Sequence, residues 1–238
     1  MATFVLVHGA WVGSVIWRPI ARSLRECGHE VYTPTLTGLG ERRHLLGRGI
    51  DLGTHVRDVL GVIDYEDLAD IVLVGHSYGG MVVTGVADAV PEKIASLVYL
   101  DAFVPRSGQS LFGLVPADGP RPGPAQAEDW LAPPLPVEAF GEPSPEVRAF
   151  TERKAFPQPV ACFAQPLELT GGIERIARKH YIYCNDPEPT AFTAFYERLK
   201  DTPGWTVHTL PCTHLVQMDM PDELTALLLR AVPANGSR

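Results

Sequence analysis

The sequence predicts an α/β architecture, a mostly parallel sheet covered by helices on both faces. Three observations predict it. Short β-rich runs alternate with amphipathic helical runs along most of the chain. Most of the β-rich runs are too uniformly apolar for strands with one solvated face, which is the mark of strands buried on both sides. One proline-rich stretch interrupts the alternation without ending it.

Taken in order, Phe4 to Val7 reads as the first strand. Ile16, Ile20 and Leu24 follow at helical spacing until Gly28 ends the run. Glu30 to Thr33 is the second strand, and Val56, Val59, Leu60 and Ile63 repeat the helical spacing in the next connection. Ile71 to Val74 and Leu97 to Leu100 read as strands around a helical run from Met81 to Val90. Tyr181 to Cys184 and Thr206 to Leu210 complete the set. Pro221-Asp222-Glu223 opens a last helix with a first-turn proline and acids suited to a helix N-terminus. No internal repeat is present.

The interruption covers residues 105–175, which hold 13 of the chain's 22 prolines and no convincing strand. Trp130, Phe140, Phe150, Phe156 and Phe163 are too many aromatics for a solvated tether. The stretch therefore reads as a small, mainly helical lid, with a short helix around Pro145 to Lys154, inserted before the penultimate strand. It would cover the carboxyl ends of the strands, where open α/β sheets bind ligands. Residues 1–104 and 176–238 form the core in this division.

Composition narrows the function. A length of 238 residues with 45% hydrophobic residues suits one domain with a large core. The net charge of −8 and the lack of a long basic run argue against nucleic acid. The apolar run before His8 and Gly9 is too short for a signal peptide, and no window approaches a membrane span. Cys27, Cys162, Cys184 and Cys212 are scattered, without a C-x-x-C pair, and read as reduced thiols. The expectation is a cytoplasmic protein, off the membrane, with oligomeric state unread.

Chemistry is carried by Gly75-His76-Ser77-Tyr78-Gly79-Gly80, between a strand and a helical run. G-x-S-x-G alone should arise by chance in about one chain in ten of this length. In its strand-to-helix context it is a nucleophile elbow, with glycine at positions 75 and 79 because strand and helix pass too closely for a side chain. Ser77 is then a nucleophile that needs a base. With the order serine, acid, histidine, His214 fits, in the loop after the last strand. His29, His44 and His180 read as structural or exposed, and His76 as pointing away from the serine. The acid is Asp186, after the penultimate strand, in preference to Asp101, after the strand beside the elbow strand; Glu188 comes third. Oxyanion donors are the backbone N–H of Tyr78 and of Ala10, the latter in the turn His8-Gly9-Ala10-Trp11, which Gly9 lets bend sharply. Trp11, Phe103, Phe112 and Trp130 are candidates to line a pocket. Glu41, Arg42 and Arg43 make an unusually charged loop near the site, read as solvated in preference to substrate-contacting.

The chain resembles the esterase and hydroxynitrile lyase branch of the α/β-hydrolase superfamily, which includes plant methyl-ester esterases and bacterial carboxylesterases. The resemblance rests on Phe4 to Ala10 with Trp17 downstream, on Pro34 to Gly40, on the elbow, and on the Asp186 and His214 positions. It implies the α/β-hydrolase fold and ester cleavage through a covalent acyl-enzyme. It also implies a triad of Ser77, His214 and Asp186, oxyanion donors Ala10 and Tyr78, and neither metal nor organic cofactor. The partner is then a small-molecule ester. Lyase relatives place a threonine in the first turn and a lysine after the catalytic histidine. Here those positions hold Gly9 and Leu215, which favours an esterase over a lyase. Acyl transfer and a non-catalytic receptor are the other readings; receptors often lose the serine or histidine that this chain keeps.

Overall fold

In the computed structural model, residues 1–115, 121, 123 and 129–233 are described. All six expected strands form and pair into one sheet. They are β1 (Thr3–Val7), β2 (Glu30–Tyr32), β3 (Ile71–His76), β4 (Ile94–Leu100), β7 (Lys179–Cys184) and β8 (Trp205–Leu210). Two short strands of the insertion, β5 (Leu131–Ala132) and β6 (Gln158–Pro159), pair with each other. The order in the large sheet is β2-β1-β3-β4-β7-β8 and every pairing is parallel. The order reverses beside β1 and β3, so their carboxyl ends open the crevice in which such sheets place a ligand.

Strand periodicity sorts the apolar residues into two layers. Phe4, Leu6, Val72, Val74, Val98 and Leu100 face the helices α1 (Arg18–Glu26) and α9 (Pro221–Arg230). Val5, Val7, Leu73, Leu97, Tyr99 and Tyr181 face α2 (Leu52–Tyr65) and α3 (Gly79–Ala89). Burial on both faces explains why β1, β3, β4 and β7 read as mostly apolar runs. The Asp51 side chain caps α2 by accepting the Thr54 N–H at 2.8 Å.

The segment between β4 and β7 carries α4 (Leu111–Leu114), α5 (Pro145–Lys154) and α6 (Ala161–Ala164). The helix expected at Pro145 to Lys154 forms as read, capped by the Ser144 hydroxyl on the Val147 N–H. The β5–β6 ribbon corrects the expectation of no strand there. Each of its strands is two residues long, and one ends on a proline, so neither periodicity nor propensity reveals it. Helix α7 (Thr193–Leu199) connects β7 to β8, and α8 (Val216–Asp219) leads from the last strand into α9.

Candidate active site

The elbow forms at the carboxyl end of β3. Ser77 takes a positive φ of 56° and its backbone N–H donates to the Leu100 carbonyl at 3.2 Å, which turns the side chain out of the sheet. A Cβ at Gly75 would lie 2.5 Å from Val83 Cγ2 and 2.7 Å from the Gly79 carbonyl oxygen. One at Gly79 would lie 2.8 Å from the carbonyl oxygens of Val7 and His8. Both glycines are thus required by close approach of strand and helix. Gly79→Ala is expected to destabilise the fold by about 2 kcal/mol or more, read by chemical denaturation.

His214 lies in the loop between β8 and α8. Its Nδ1–H donates to Asp101 Oδ2 at 2.6 Å, and both side chains are buried. This corrects the expectation of Asp186 as its partner. Asp101 directly follows β4, the strand beside β3, and its positive φ of 41° turns the carboxylate toward the histidine loop. Its Oδ1 accepts the Cys184 N–H at 3.2 Å, and its own N–H donates to the Ile182 carbonyl. Asp186 and Glu188 are exposed. What Asp186 supplies to the histidine loop is a backbone N–H, donated to the Cys212 carbonyl at 3.1 Å.

With Nδ1 committed to Asp101, Nε2 is the nitrogen left for the serine, and Ser77 and His214 line one cavity. Burial acts on both members of the pair in the direction of neutrality. It pulls the His214 imidazole from 6.5 down to about 3. It pushes the Asp101 carboxyl well above the ordinary range, against the Cys184 N–H that favours the carboxylate. The imidazole is further held by stacking on Phe192 (4.8 Å between ring centres) and on Phe140 (4.9 Å). His214 also donates its backbone N–H to the Phe140 carbonyl at 3.3 Å. His76, expected to point away from the serine, lines the same cavity as Ser77 and packs against His214. Its ring centre lies 4.5 Å from that of His214, and its Nε2–H donates to the His214 carbonyl at 2.9 Å. Trp17 meets the His76 ring edge to face at 6.3 Å.

The turn after β1 bends at a different residue from the one expected. Positive φ falls on Trp11, at 63°, whereas Gly9 is needed for close approach, since a Cβ there would lie 3.0 Å from Ser77 Cβ. His8 locks this turn from below. Its Nδ1–H donates to the Gly9 carbonyl at 2.8 Å and its Nε2 accepts the Leu36 N–H at 3.0 Å. Full burial lowers its pKa to about 4 and keeps it neutral. Among the described residues, the backbone N–H groups of Ala10 and Tyr78 donate to no protein acceptor. Both residues line the cavity beside Ser77. Five non-glycine residues have positive φ among those described, and three of them, Trp11, Ser77 and Asp101, are in this site. Backbone strain is concentrated where the chemistry would be.

Gln158, on β6, is a residue that no sequence signal singled out. Buried completely, it accepts the Trp11 N–H on Oε1 at 3.0 Å. The Trp11 indole N–H donates to the Ala132 carbonyl at 3.1 Å, and the Trp11 carbonyl accepts the Phe156 N–H at 2.8 Å. Three hydrogen bonds therefore fix the turn after β1 to the segment between β4 and β7. Gln158→Ala is expected to lower kcat about tenfold or more with a smaller change in KM, because it loosens the turn that carries the Ala10 N–H while Gln158 itself lines neither cavity.

Two cavities of about 40 Å³ each meet at Ser77, and both are lined by Ala10, Trp11, Leu135 and Phe140. One extends over Phe103, Phe163 and Phe192, the other over Ile16, Val137, Phe150 and Ala155. Of the expected pocket aromatics, Trp11 and Phe103 are therefore in place. Phe112 packs behind Phe163, at 6.1 Å between ring centres, and does not line either cavity. Trp130 is also outside them, its ring under the Arg48 guanidinium at 5.4 Å. Both were expected from aromaticity alone, which does not separate a pocket wall from the packing behind it.

The charged loop is a short 3-10 helix, Gly40–Leu45, and Arg42 is structural. It pairs with Asp58 at 3.3 Å and donates to the Thr35 carbonyl at 2.8 Å. Asp58 also accepts the Thr37 N–H and hydroxyl. The Thr37 carbonyl in turn receives His55 Nε2–H, and His55 Nδ1 meets the Tyr78 hydroxyl at 2.8 Å. This relay anchors the Tyr78 side chain and so the backbone N–H beside Ser77.

The comparisons with known proteins bear on the family and the fold. Residues 4–227 match the model of the alpha/beta hydrolase family. The chain is 46% identical over 239 aligned residues to a carbendazim hydrolyzing esterase from Nocardioides sp. (strain SG-4G), covering 96% of this chain and 98% of that one. It is 26% identical to a pyrethroid hydrolase from Sphingobium wenxiniae, covering 92% of this chain and 84% of that one. An extracellular alpha/beta-hydrolase from a Paenibacillus species superposes with a TM-score of 0.83 at 25% identity, covering 98% of this chain and 100% of that one. An elbow serine on a parallel sheet, a histidine from the loop after its last strand and a match over nearly the whole length have one reading: this chain belongs to the alpha/beta hydrolase family.

Proposed function

We propose that this carboxylic ester hydrolase works through an acyl-enzyme on Ser77, with His214 as general base, Asp101 as its partner, and the N–H groups of Ala10 and Tyr78 as the oxyanion hole. The observation that carries the reading is the His214–Asp101 hydrogen bond of 2.6 Å, which leaves Nε2 for Ser77 inside a cavity that both residues line.

Asp101 holds the imidazole in the tautomer with Nδ1 protonated, so that Nε2 can take the serine proton. The Ser77 oxygen attacks the ester carbonyl and the two N–H groups receive the developing oxyanion, each worth on the order of 3 kcal/mol. The tetrahedral intermediate collapses as His214 returns the proton to the departing alcohol. Water, deprotonated by the same nitrogen, then attacks the acyl-enzyme, and the acid leaves with Ser77 restored.

Two apolar lobes on either side of the serine suit the two halves of an ester. Among the described residues neither lobe is lined by a lysine or arginine, so a departing cyanide would find no cation there, which supports ester cleavage over a lyase reaction. The similarity to a carbendazim hydrolyzing esterase and to a pyrethroid hydrolase supports a small aromatic or secondary-metabolite-like ester as substrate. We read residues 105–175 as the lid. At about 40 Å³ each lobe holds only a few water molecules, so an ester enters when the lid shifts. Four free cysteines, three of them buried, support a reducing compartment. No helix among the described residues is long and apolar enough to cross a membrane.

Release of 4-nitrophenol from short-chain esters by the wild-type protein, beside Ser77→Ala, tests the reading. A wild-type rate no greater than that of the variant would overturn it. The pH profile is a second test. The base works only when neutral, and burial holds His214 below its ordinary 6.5. The acid limb of kcat/KM is therefore expected below that value, with substantial activity at about pH 5.5. A limb at or above 6.5 would contradict the buried imidazole.

A further inference from the structure

A larger cleft lies beside the two cavities at Ser77 and differs from them in size and charge. It measures about 740 Å³ and opens between α1, the Gly40–Leu45 turn and the end of α5. Five cations line it, Arg18, Arg25, Arg43, Arg153 and Lys154, against one carboxylate, Glu41. This concentration occurs on a chain whose net charge is −8. Among the described residues none of the five cations forms an ion pair, although six other lysines and arginines do.

Local structure accounts for part of the cluster. Arg153 and Lys154 occupy the last turn of α5, where positive charge complements the helix dipole. Arg25 donates to the Val31 carbonyl at 2.6 Å, and Arg43 lies over the Phe156 ring at 5.8 Å. None of this explains why three separate elements turn their cations to one cleft. Arg18 and Arg25 are seven residues apart, two turns of α1, and so share the face that meets the turn carrying Arg43. The floor is a seam of backbone, since a Cβ at Gly13 would lie 2.8 Å from Gly40 Cα. Like charges held around one cleft repel unless an anion is present, and a cleft of one sign concentrates ions of the other.

We propose that this cleft binds a small organic anion carrying two or more negative charges as carboxylates or phosphates. Several charges are needed because each exposed pair contributes little alone. The ligand is separate from the ester, yet Ala155 lines both cavities, so the bound anion would tie α5 to α1 at the edge of the catalytic cavity.

The test is calorimetric titration of the whole protein with citrate and, separately, inorganic pyrophosphate, at pH 7 and constant ionic strength. Saturable binding of one ion per chain is expected for at least one of them, and which one binds distinguishes carboxylate from phosphate chemistry. Two double variants, Arg18→Gln with Arg43→Gln and Arg153→Gln with Lys154→Gln, are each expected to weaken it at least tenfold. Both should hydrolyse 4-nitrophenyl acetate within about twofold of the wild type, which reports an intact fold and an independent ester site. Absence of saturable binding for both ions, or an affinity that neither double variant changes, would overturn the proposal.

Discussion

Asp101→Asn is expected to lower kcat about ten-thousandfold with little change in folding. The carboxylate accepts the Nδ1–H of His214 at 2.6 Å in a site closed to solvent. An amide there can present its NH2 to Nδ1, which favours the tautomer with the proton on Nε2, the nitrogen that must take the serine proton. Asp186→Asn is expected to change kcat less than about twofold, because that side chain is exposed and its link to the histidine loop is a backbone N–H. Steady-state turnover of both variants, with circular dichroism to verify folding, separates the two acids. Loss confined to Asp186→Asn would reverse the assignment.

Ser77→Ala is expected to cost on the order of a millionfold in kcat, and His214→Ala about as much, while the double variant is scarcely worse than either. The serine and its base act as a unit, so removing one leaves the other without a function. What remains is the contribution of the Ala10 and Tyr78 donors and of the pocket. Ser77→Ala removes one oxygen, and the backbone strain at φ 56° is no greater for alanine than for serine, so stability should change little. Kinetics on the three variants checks this. Additive losses would mean that serine and histidine contribute by separate routes.

The parts of this account legible in sequence are those set by short-range chemistry. Burial on both faces wrote the four inner strands β1, β3, β4 and β7 as apolar runs, and the elbow's glycines mark a close contact that any side chain would break. His214 was legible from its order after the serine and its place beyond the last strand. The acid was not, because Asp101 and Asp186 both follow strands and both precede the histidine. What separates them is burial and a positive φ at Asp101, properties of the folded edge of β4 that no local pattern records. Gln158 was invisible for a related reason. Its hydrogen bond to Trp11 spans 147 positions, and the strand that carries it is two residues long. Phe140 and Phe192 were ordinary aromatics until the fold stacked them on the imidazole.

The central claim is a nucleophilic Ser77, and the most direct test is stoichiometric labelling with a fluorophosphonate, followed by intact-mass and peptide mass spectrometry. The serine oxygen would displace fluoride and form a bond to phosphorus. The account predicts one label per chain, on Ser77, with esterase turnover lost in proportion to labelling and no label in Ser77→Ala. Full turnover in a completely labelled protein, or a label carried elsewhere with Ser77 unmodified, would contradict it.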